Sequence, residues 1–511
     1  MYRTYESRKK SWIKVPHDSQ LGQCKITNRM YPYAVVTNGN MDILTFTHNG
    51  CLCNEIIALR FRHQMDTPPV SLSVIPLLRR ALDGLLSCNR PDGTPIEPVF
   101  LRSRQQVVNT YRGRHRIKYF RAMVELNTRA LNRTDFYNRG FVKADKEEES
   151  DLTKAGRLIQ FMRPTGALEM GRFTHAVESQ IYSLHDKYDT KIFGKGGNLH
   201  EIAEDLNNKR ENFNDPIFLL LDASKFDAHV STEMLRLVAE WYPNLLSDPS
   251  QREFIRWMWS HTFNNYGSTV NGLRYKTNGT RMSGHMDTGL GNSLVMYAMI
   301  TAYLGVVGIT KYSMSVNGDD SVVMIERSDL QRALDISFFK DCGFKMKFDM
   351  TDEFSKMDYC QTRPVLTRYG WILARSPERM LRRIGWSSNL FGAKRSRDFL
   401  YSLGKGERAI NYGLPIGYTL GNKLMQAAPN GKLLPLDRKK YISYTRQKYW
   451  QSSEDAIIDK VARESFCEAW GITPEEQVRI EESLQVGPAL KVTDKMQQMY
   501  DSVVLSKLNF S

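Results

Sequence analysis

Cysteine is scarce: seven in 511 residues, an odd number, widely scattered. That spread excludes a disulfide framework and fits a reducing compartment. Cys51 and Cys53 have no matching His/Cys pair nearby, so no zinc site is expected. Long biased tracts are missing too, which argues against the disordered arm of a capsid or packaging protein. Residues 1–14 are charged and lack the apolar centre of a signal peptide. One apolar stretch tests whether the chain enters a membrane. Residues 294–310 carry no charge, the lower limit of a span, but include Tyr297, Thr301, Tyr303 and two glycines. The expectation is a helix buried behind a sheet, and no transmembrane segment of the chain's own.

What is present in excess is positive charge, +15 from 71 basic and 56 acidic residues, which points to a polyanionic partner. The basic residues cluster. Arg102, Arg104, Arg112, Arg114, Arg116 and Lys118 form one group, and Arg379, Arg382, Arg383, Lys394, Arg395 and Arg397 another. Such groups neutralise phosphates and release counterions. The length exceeds one ordinary domain, and 41% hydrophobic content supports a sizeable core.

Three segments carry candidate chemistry. Ser-Met-Ser-Val-Asn-Gly-Asp-Asp-Ser-Val-Val-Met at residues 313–324 reads as two β-prone runs turning at Asn317-Gly318, with Asp319 and Asp320 at the bend. Adjacent carboxylates repel unless a cation sits beside them, and hard divalent ions take such oxygen ligands. A solvated turn is the bland alternative. About a hundred residues upstream, Ile217-Phe218-Leu219-Leu220-Leu221 reads as a buried strand delivering Asp222 and Asp227. Ser231 is a plausible N-cap for a helix over 232–242 whose Met234, Leu235, Val238 and Trp241 share a stripe. Between them lies a glycine-rich loop, Ser283-Gly284-His285-Met286-Asp287-Thr288-Gly289-Leu290-Gly291-Asn292, leading into an apolar helix. Chance yields Gly-Asp-Asp roughly 0.1 times in such a chain, and the Ser-Gly, Thr, Asn set on the order of 0.01 times. All three in this order are hard to attribute to accident.

The order Asp222-x4-Asp227, Ser283-Gly284-x3-Thr288-x3-Asn292, Gly318-Asp319-Asp320 resembles motifs A, B and C of viral RNA-dependent RNA polymerases. The surrounding residues are similar to the tombusvirus-like branch of positive-strand RNA viruses. Cys53-Asn54-Glu55-Ile56-Ile57-Ala58-Leu59, Tyr111-Arg112-Gly113-Arg114-His115-Arg116, Lys154-Ala155-Gly156-Arg157-Leu158-Ile159-Gln160 (motif F) and Tyr359-Cys360-Gln361 (motif E) extend the resemblance from about residue 50 to about 380.

The resemblance implies an α+β right-hand fold. Fingers would take residues 1–213 and 231–279, palm 214–230 and 280–366, and a helical thumb 367–511. It implies template-directed RNA synthesis from ribonucleoside triphosphates with two Mg²⁺ or Mn²⁺ ions, usually starting de novo. Asp222 and Asp319 would bridge the ions, with Asp320 beside them. Asp227 and Asn292 match the family's 2′-hydroxyl sensors, supported by Ser283, Gly284 and Thr288; helix capping is the plain alternative for Thr288 and Asn292. Lys154, Arg157 and Arg163 fall where the family grips the triphosphate.

Phe141-Val142-Lys143-Ala144-Asp145-Lys146 also resembles a family element, but an acidic run follows it, which leaves Lys143 and Lys146 open between triphosphate contact and solvated loop. A helix over 328–340 ending at Gly343 and a strand over 344–348 are expected. The strand places Lys345 and Lys347 on one face, and the family's motif D lysine, a general acid toward pyrophosphate, is assigned to Lys345. Arg112, Arg114 and Arg116 are expected to bind RNA, and Tyr359, Cys360 and Gln361 to grip the nascent strand, with an ordinary core strand as the equal alternative. Template and product RNA and NTPs are the implied partners, with viral or host replication proteins and a host membrane reached through one of them. The implied location is a membrane-associated replication complex in the host cytoplasm. A two-metal nuclease would share the carboxylates but would not need the Ser-Gly/Asn helix or the motif F arginine.

Overall fold

The computed structural model describes residues 2–6, 11–16, 21, 28, 30–36, 45–147, 154–434 and 446–487. Residues 148–151 of the acidic run lie outside them. Helices and sheets mix in the α+β manner expected.

A four-stranded antiparallel sheet organises the centre, in the order Tyr312–Asn317, Asp320–Glu326, Pro216–Ala223, Met346–Thr351. Pro216–Ala223 is a central strand, which explains its unbroken apolar sequence. Behind the sheet runs the helix Thr288–Val306, packed against Ile75–Gly84 and Thr232–Trp241. Among the described residues it alone is long and apolar enough to cross a membrane, and most of it is buried in the core. Its residues from Leu290 to Leu304 are almost all buried, as expected for a helix surrounded by protein. Ser231 caps Thr232–Trp241 by accepting from Met234 N, and Met234, Leu235, Val238 and Trp241 are buried.

Two expected elements differ. The helix expected over 328–340 is broken into Leu330–Ala333 and Ser337–Asp341, although Gly343 does end the segment at φ 85°. The strand expected over 344–348 begins at Met346, so Lys345 precedes it.

A second sheet has six strands, Tyr2–Glu6, Trp12–Pro16, Arg274–Asn278, Asn264–Thr269, Asn138–Val142 and Leu158–Met162. Glu55, on the helix Leu52–Ala58, is buried against one of its turns. It accepts from Thr269 Oγ1 at 2.6 Å and Asn271 Nδ2 at 2.9 Å.

The C-terminal helices build a separate core. Ala393–Ile410 crosses Gly417–Gln426 where Gly404 faces Gly421; a Cβ on Gly404 would lie 2.7 Å from the Gly421 carbonyl oxygen. Larger residues would force the helices apart. Residues 30–36, placed with the fingers in the sequence reading, join this core. Tyr31–Pro32 pairs with Trp386–Ser387, Val35–Val36 pairs with Val486–Gly487, and Ala34 and Val36 pack with Phe466 and Leu484.

Candidate active site

Asp222 and Asp320 are direct partners across adjacent antiparallel strands, at the same end of the central sheet. Such pairs have Cα atoms about 4.5–5.5 Å apart. Asp320 is paired on its other side with Asn317, so the hairpin turn consists of Gly318 and Asp319. This corrects the expected turn at Asn317-Gly318. Only Gly318 takes a positive φ, 73°, the arrangement of a two-residue turn with glycine first. Asn317 stays in its strand and donates from Nδ2 to Cys360 Sγ at 3.4 Å. The turn is anchored from behind, where Gly318 N donates to the buried Ser293 Oγ at 3.0 Å.

The electrostatics are those of crowded carboxylates. Burial raises the Asp319 carboxyl above its ordinary range, and the charge of Asp222 adds to the effect. Burial pushes Asp320 up to about 6, helped by Asp319, Asp222 and Asp358. Mutual repulsion of this kind is relieved by a multivalent cation. As the side chains stand, no three His, Cys, Asp or Glu groups among the described residues enclose an ion. Asp222 Oδ2 accepts from Lys347 Nζ at 2.6 Å. The donor set fits hard divalent ions once that ammonium moves aside.

Lys347 pairs in register with Asp222 on the neighbouring strand. Lys345, the residue assigned from the resemblance, is exposed before that strand, and its carbonyl accepts from Ser224 N at 3.0 Å. The structure brings Lys347, rather than Lys345, to the carboxylates.

A cavity of about 440 Å³ opens over Asp222 and Asp319; Asp320 is not part of its lining. Asp227, Ser283, Thr288, Asn292 and Arg157 all line it. Lys225, with φ 50°, turns the chain between Asp222 and Asp227. Asn292 Nδ2 donates to Asp227 Oδ1 at 2.8 Å, while Asn292 Oδ1 is buried without a partner. Burial raises the Asp227 carboxyl, and the bond from Asn292 opposes this. Thr288 does not cap its helix through its side chain; its hydroxyl donates to the Met282 and His285 carbonyls at 2.8 and 3.0 Å, fixing the loop. The same loop is pinned by a buried Arg281–Asp287 ion pair at 2.7 Å. Ser283 Oγ donates to Leu158 O at 3.0 Å and Gly284 N to Gln160 O at 2.8 Å, which joins the Ser-Gly loop to the motif F strand.

Other expected residues lie elsewhere. Arg163 is exposed at the start of the helix Pro164–Tyr182, outside the cavity lining. Lys154 lines a larger neighbouring cavity of about 670 Å³, together with Lys146, Arg379, Arg382 and Arg383. The two cavities share Arg62 and Arg157. Arg112, Arg114 and Arg116 are exposed around the first turn of the helix Gly113–Thr128, outside the cavity lining.

Tyr359 requires a correction: it is a core residue, fully buried, and its hydroxyl accepts from Ser315 Oγ at 3.0 Å. A side chain so enclosed does not grip a nascent strand. Cys360 and Gln361 form the tip of a tight turn, with φ 54° and 61° and mutual Tyr359–Thr362 backbone bonds. Cys360 faces the Gly-Asp-Asp turn, and Gln361 accepts from Arg379.

Sequence reasoning missed Arg62 and Lys195 in the cavity lining. Neither belongs to a recognisable pattern; each arrives from a segment distant in sequence.

The profile for viral RNA-dependent RNA polymerases matches residues 36–486. The chain belongs to that viral polymerase family. Among its relatives, the RNA-directed RNA polymerase of Pothos latent virus (isolate Pigeonpea/India) is 29% identical over 390 residues, covering 75% of this chain and 51% of the relative. The Cucumber necrosis virus enzyme of the same name is 28% identical over 386 residues, 73% of this chain and 46% of the relative. That of Tobacco necrosis virus (strain A) is 29% identical over 390 residues, 74% and 53%. The chain thus spans about half the length of the curated relatives it matches.

Proposed function

We propose that this chain catalyses template-directed RNA synthesis from ribonucleoside triphosphates, with de novo initiation. The observation that carries the reading is Asp222 directly opposite Asp320, with Asp319 on the adjoining turn and the Asp227–Asn292 pair lining the same cavity. In right-hand terms, the central sheet is the palm, the six-stranded sheet belongs to the fingers, and the C-terminal helices with residues 30–36 form the thumb.

Two Mg²⁺ or Mn²⁺ ions held by Asp222, Asp319 and Asp320 would lower the pKa of the attacking 3′-hydroxyl and stabilise the leaving oxygen. The protein side chains do the rest. Arg157, Arg62 and Lys154 attract the triphosphate through the larger basic cavity. Asp227 and Asn292 present hydrogen-bonding groups that a 2′-hydroxyl satisfies and a deoxyribose leaves unpaired. Lys347, within reach of Asp222, donates the proton that pyrophosphate takes on leaving. The exposed arginines 112, 114 and 116 track the template backbone.

In the cell the reading places the enzyme in a cytoplasmic replication complex, held to a host membrane by viral or host partner proteins. A nuclease would account for the carboxylates alone. The Asn292–Asp227 pair has no work to do in that alternative.

The test is RNA synthesis from a template, four NTPs and Mg²⁺ or Mn²⁺, with Asp319→Asn as control. Synthesis that disappears in the variant supports the reading. Template degradation without synthesis, or a variant as fast as the wild type, refutes it.

A further inference from the structure

Six cationic side chains line the aspartate cavity: Arg62, Lys143, Arg157, Lys195, Lys225 and Lys347. Five are engaged. Arg62 donates to Ala155 O at 3.1 Å, Lys225 to Phe61 O at 3.0 Å, Lys143 and Arg157 pair with Asp145 at 3.0 and 2.6 Å, and Lys347 pairs with Asp222. Of the six, Lys195 alone makes no hydrogen bond or ion pair with the described residues. Yet it is largely buried, its ammonium 5.9 Å from the Tyr182 ring centroid and held in the field of Glu178 and Asp319. Taking a cation this far out of water without a close counterion is costly. A ligand anion would supply what the protein does not.

The fold fixes where that anion sits. Phe193 pairs in parallel with Val316, beyond the outer edge of the central sheet, and Gly194 N donates to Val316 O at 3.0 Å. Two residues further along each segment, Lys195 comes level with Gly318 of the catalytic turn. A Cβ on Gly194 would lie 2.2 Å from the Tyr359 hydroxyl, so glycine is what lets the backbone come this close. Lys195 Nζ crosses to the start of the apolar helix, 2.8 Å from the position a Gly289 Cβ would take. Across the sheet the order is therefore Lys195 segment, Gly-Asp-Asp hairpin, Asp222 strand, Lys347 strand. The aspartates lie between two lysines. Lys347 is on the flank of Asp222, while Lys195 is on the opposite flank, beside the Cys360 turn. The arginines that lead into the larger basic cavity, Arg62 and Arg157, continue away without Lys195. That cavity is the triphosphate's, so the anion beside Lys195 is a different phosphate.

We infer that Lys195 binds the 3′-terminal phosphodiester of the strand being extended, one linkage behind the attacking hydroxyl. The inference rests on the polymerase reading above and adds to it a residue for the product strand. An ammonium there holds the hydroxyl against Asp319 without touching the incoming nucleotide.

The experiment is primer extension by the full chain on two primer–template duplexes. They are identical except that one carries an uncharged methylphosphonate at the primer's last linkage. For the wild type, the neutral linkage should raise the KM for primer–template about tenfold, the worth of one charge-assisted contact, with the KM for NTP unchanged. Lys195→Met should raise the KM for the natural primer by a similar factor and show no further response to methylphosphonate. Lys195→Arg should restore most of the loss. Wild-type indifference to the linkage charge overturns the inference even if the Met variant misfolds. A Met variant that keeps full methylphosphonate sensitivity, or whose KM for NTP rises instead, overturns it too. A wild type that extends no primer yet makes RNA de novo overturns this inference alone, whereas one that makes no RNA with or without primer overturns the polymerase reading as well.

Discussion

Lys347 stands directly across an antiparallel strand pair from Asp222, and their side chains meet at 2.6 Å. The ammonium therefore holds a carboxylate that divalent ions would need, and in the proposed mechanism it is the acid toward pyrophosphate. Lys347→Met should slow single-nucleotide addition about tenfold to a hundredfold, within the usual range for losing a general acid. It should also tighten Mg²⁺ binding in the absence of NTP, read by calorimetry. Lys345→Met should change neither. Equal losses in both variants would remove the distinction drawn between the two lysines.

Asn292 keeps its Oδ1 buried and unpaired while its Nδ2 holds Asp227. In the proposed reading a 2′-hydroxyl would satisfy that oxygen and a deoxyribose would not. Asn292→Ala and Asp227→Ala should each erode the NTP over dNTP preference about tenfold to a hundredfold in competitive incorporation. Their kcat on NTPs should fall by less than their discrimination.

Gly284 is fixed by contact. A Cβ there would lie 2.5 Å from the Gln160 carbonyl oxygen, a backbone atom with little room to yield. Gly284→Ala should separate the Ser-Gly loop from the motif F strand, costing about 1–3 kcal/mol of stability. Polymerisation should drop about a hundredfold through misplacement of the site. Thermal denaturation and an elongation assay check the two parts separately.

The Asp320 carboxyl titrates near 6 in the folded chain, above its ordinary 3.8. Its share of stability is fully present below about pH 4 and is lost as pH rises through about 6. Without divalent ions, Asp320→Asn should therefore be the more stable protein at pH 7.5, by about 1–3 kcal/mol, and lose that advantage at pH 4. Mg²⁺ should narrow the gap at pH 7.5 by stabilising the wild type. Melting curves at the two pH values, with and without the ion, measure this.

The skeleton of the candidate site was legible because each part is local. A buried strand ending in Asp222, a Ser-Gly loop before an apolar helix, and a Gly-Asp-Asp hairpin are short patterns whose side-chain directions follow from strand and helix periods. Errors began where one residue of register mattered. The turn slipped from Asn317-Gly318 to Gly318-Asp319, since both pairs contain a glycine able to take positive φ. Lys345 and Lys347 share a strand period, and only the pairing with Pro216–Ala223 reveals which one faces Asp222.

Other features had no local signal. Tyr359 suits a strand whether its ring faces RNA or core, and the Ser315 hydroxyl decides for the core. Arg62 and Lys195 reach the cavity by long-range packing, one from the turn after Leu52–Ala58 and one from an edge segment. Nothing in the spacing of either residue announces that destination.

Val35–Val36 pairs with Val486–Gly487, so one small hydrophobic core is assembled from segments far apart in sequence. On a ribosome, that lobe stays incomplete until residue 487 has emerged, whereas the core spanning Val74 to Phe344 has all its parts much earlier. Nascent chains halted near residue 400 should consequently protect the aspartate-bearing lobe from protease while leaving residues 30–36 open to cleavage.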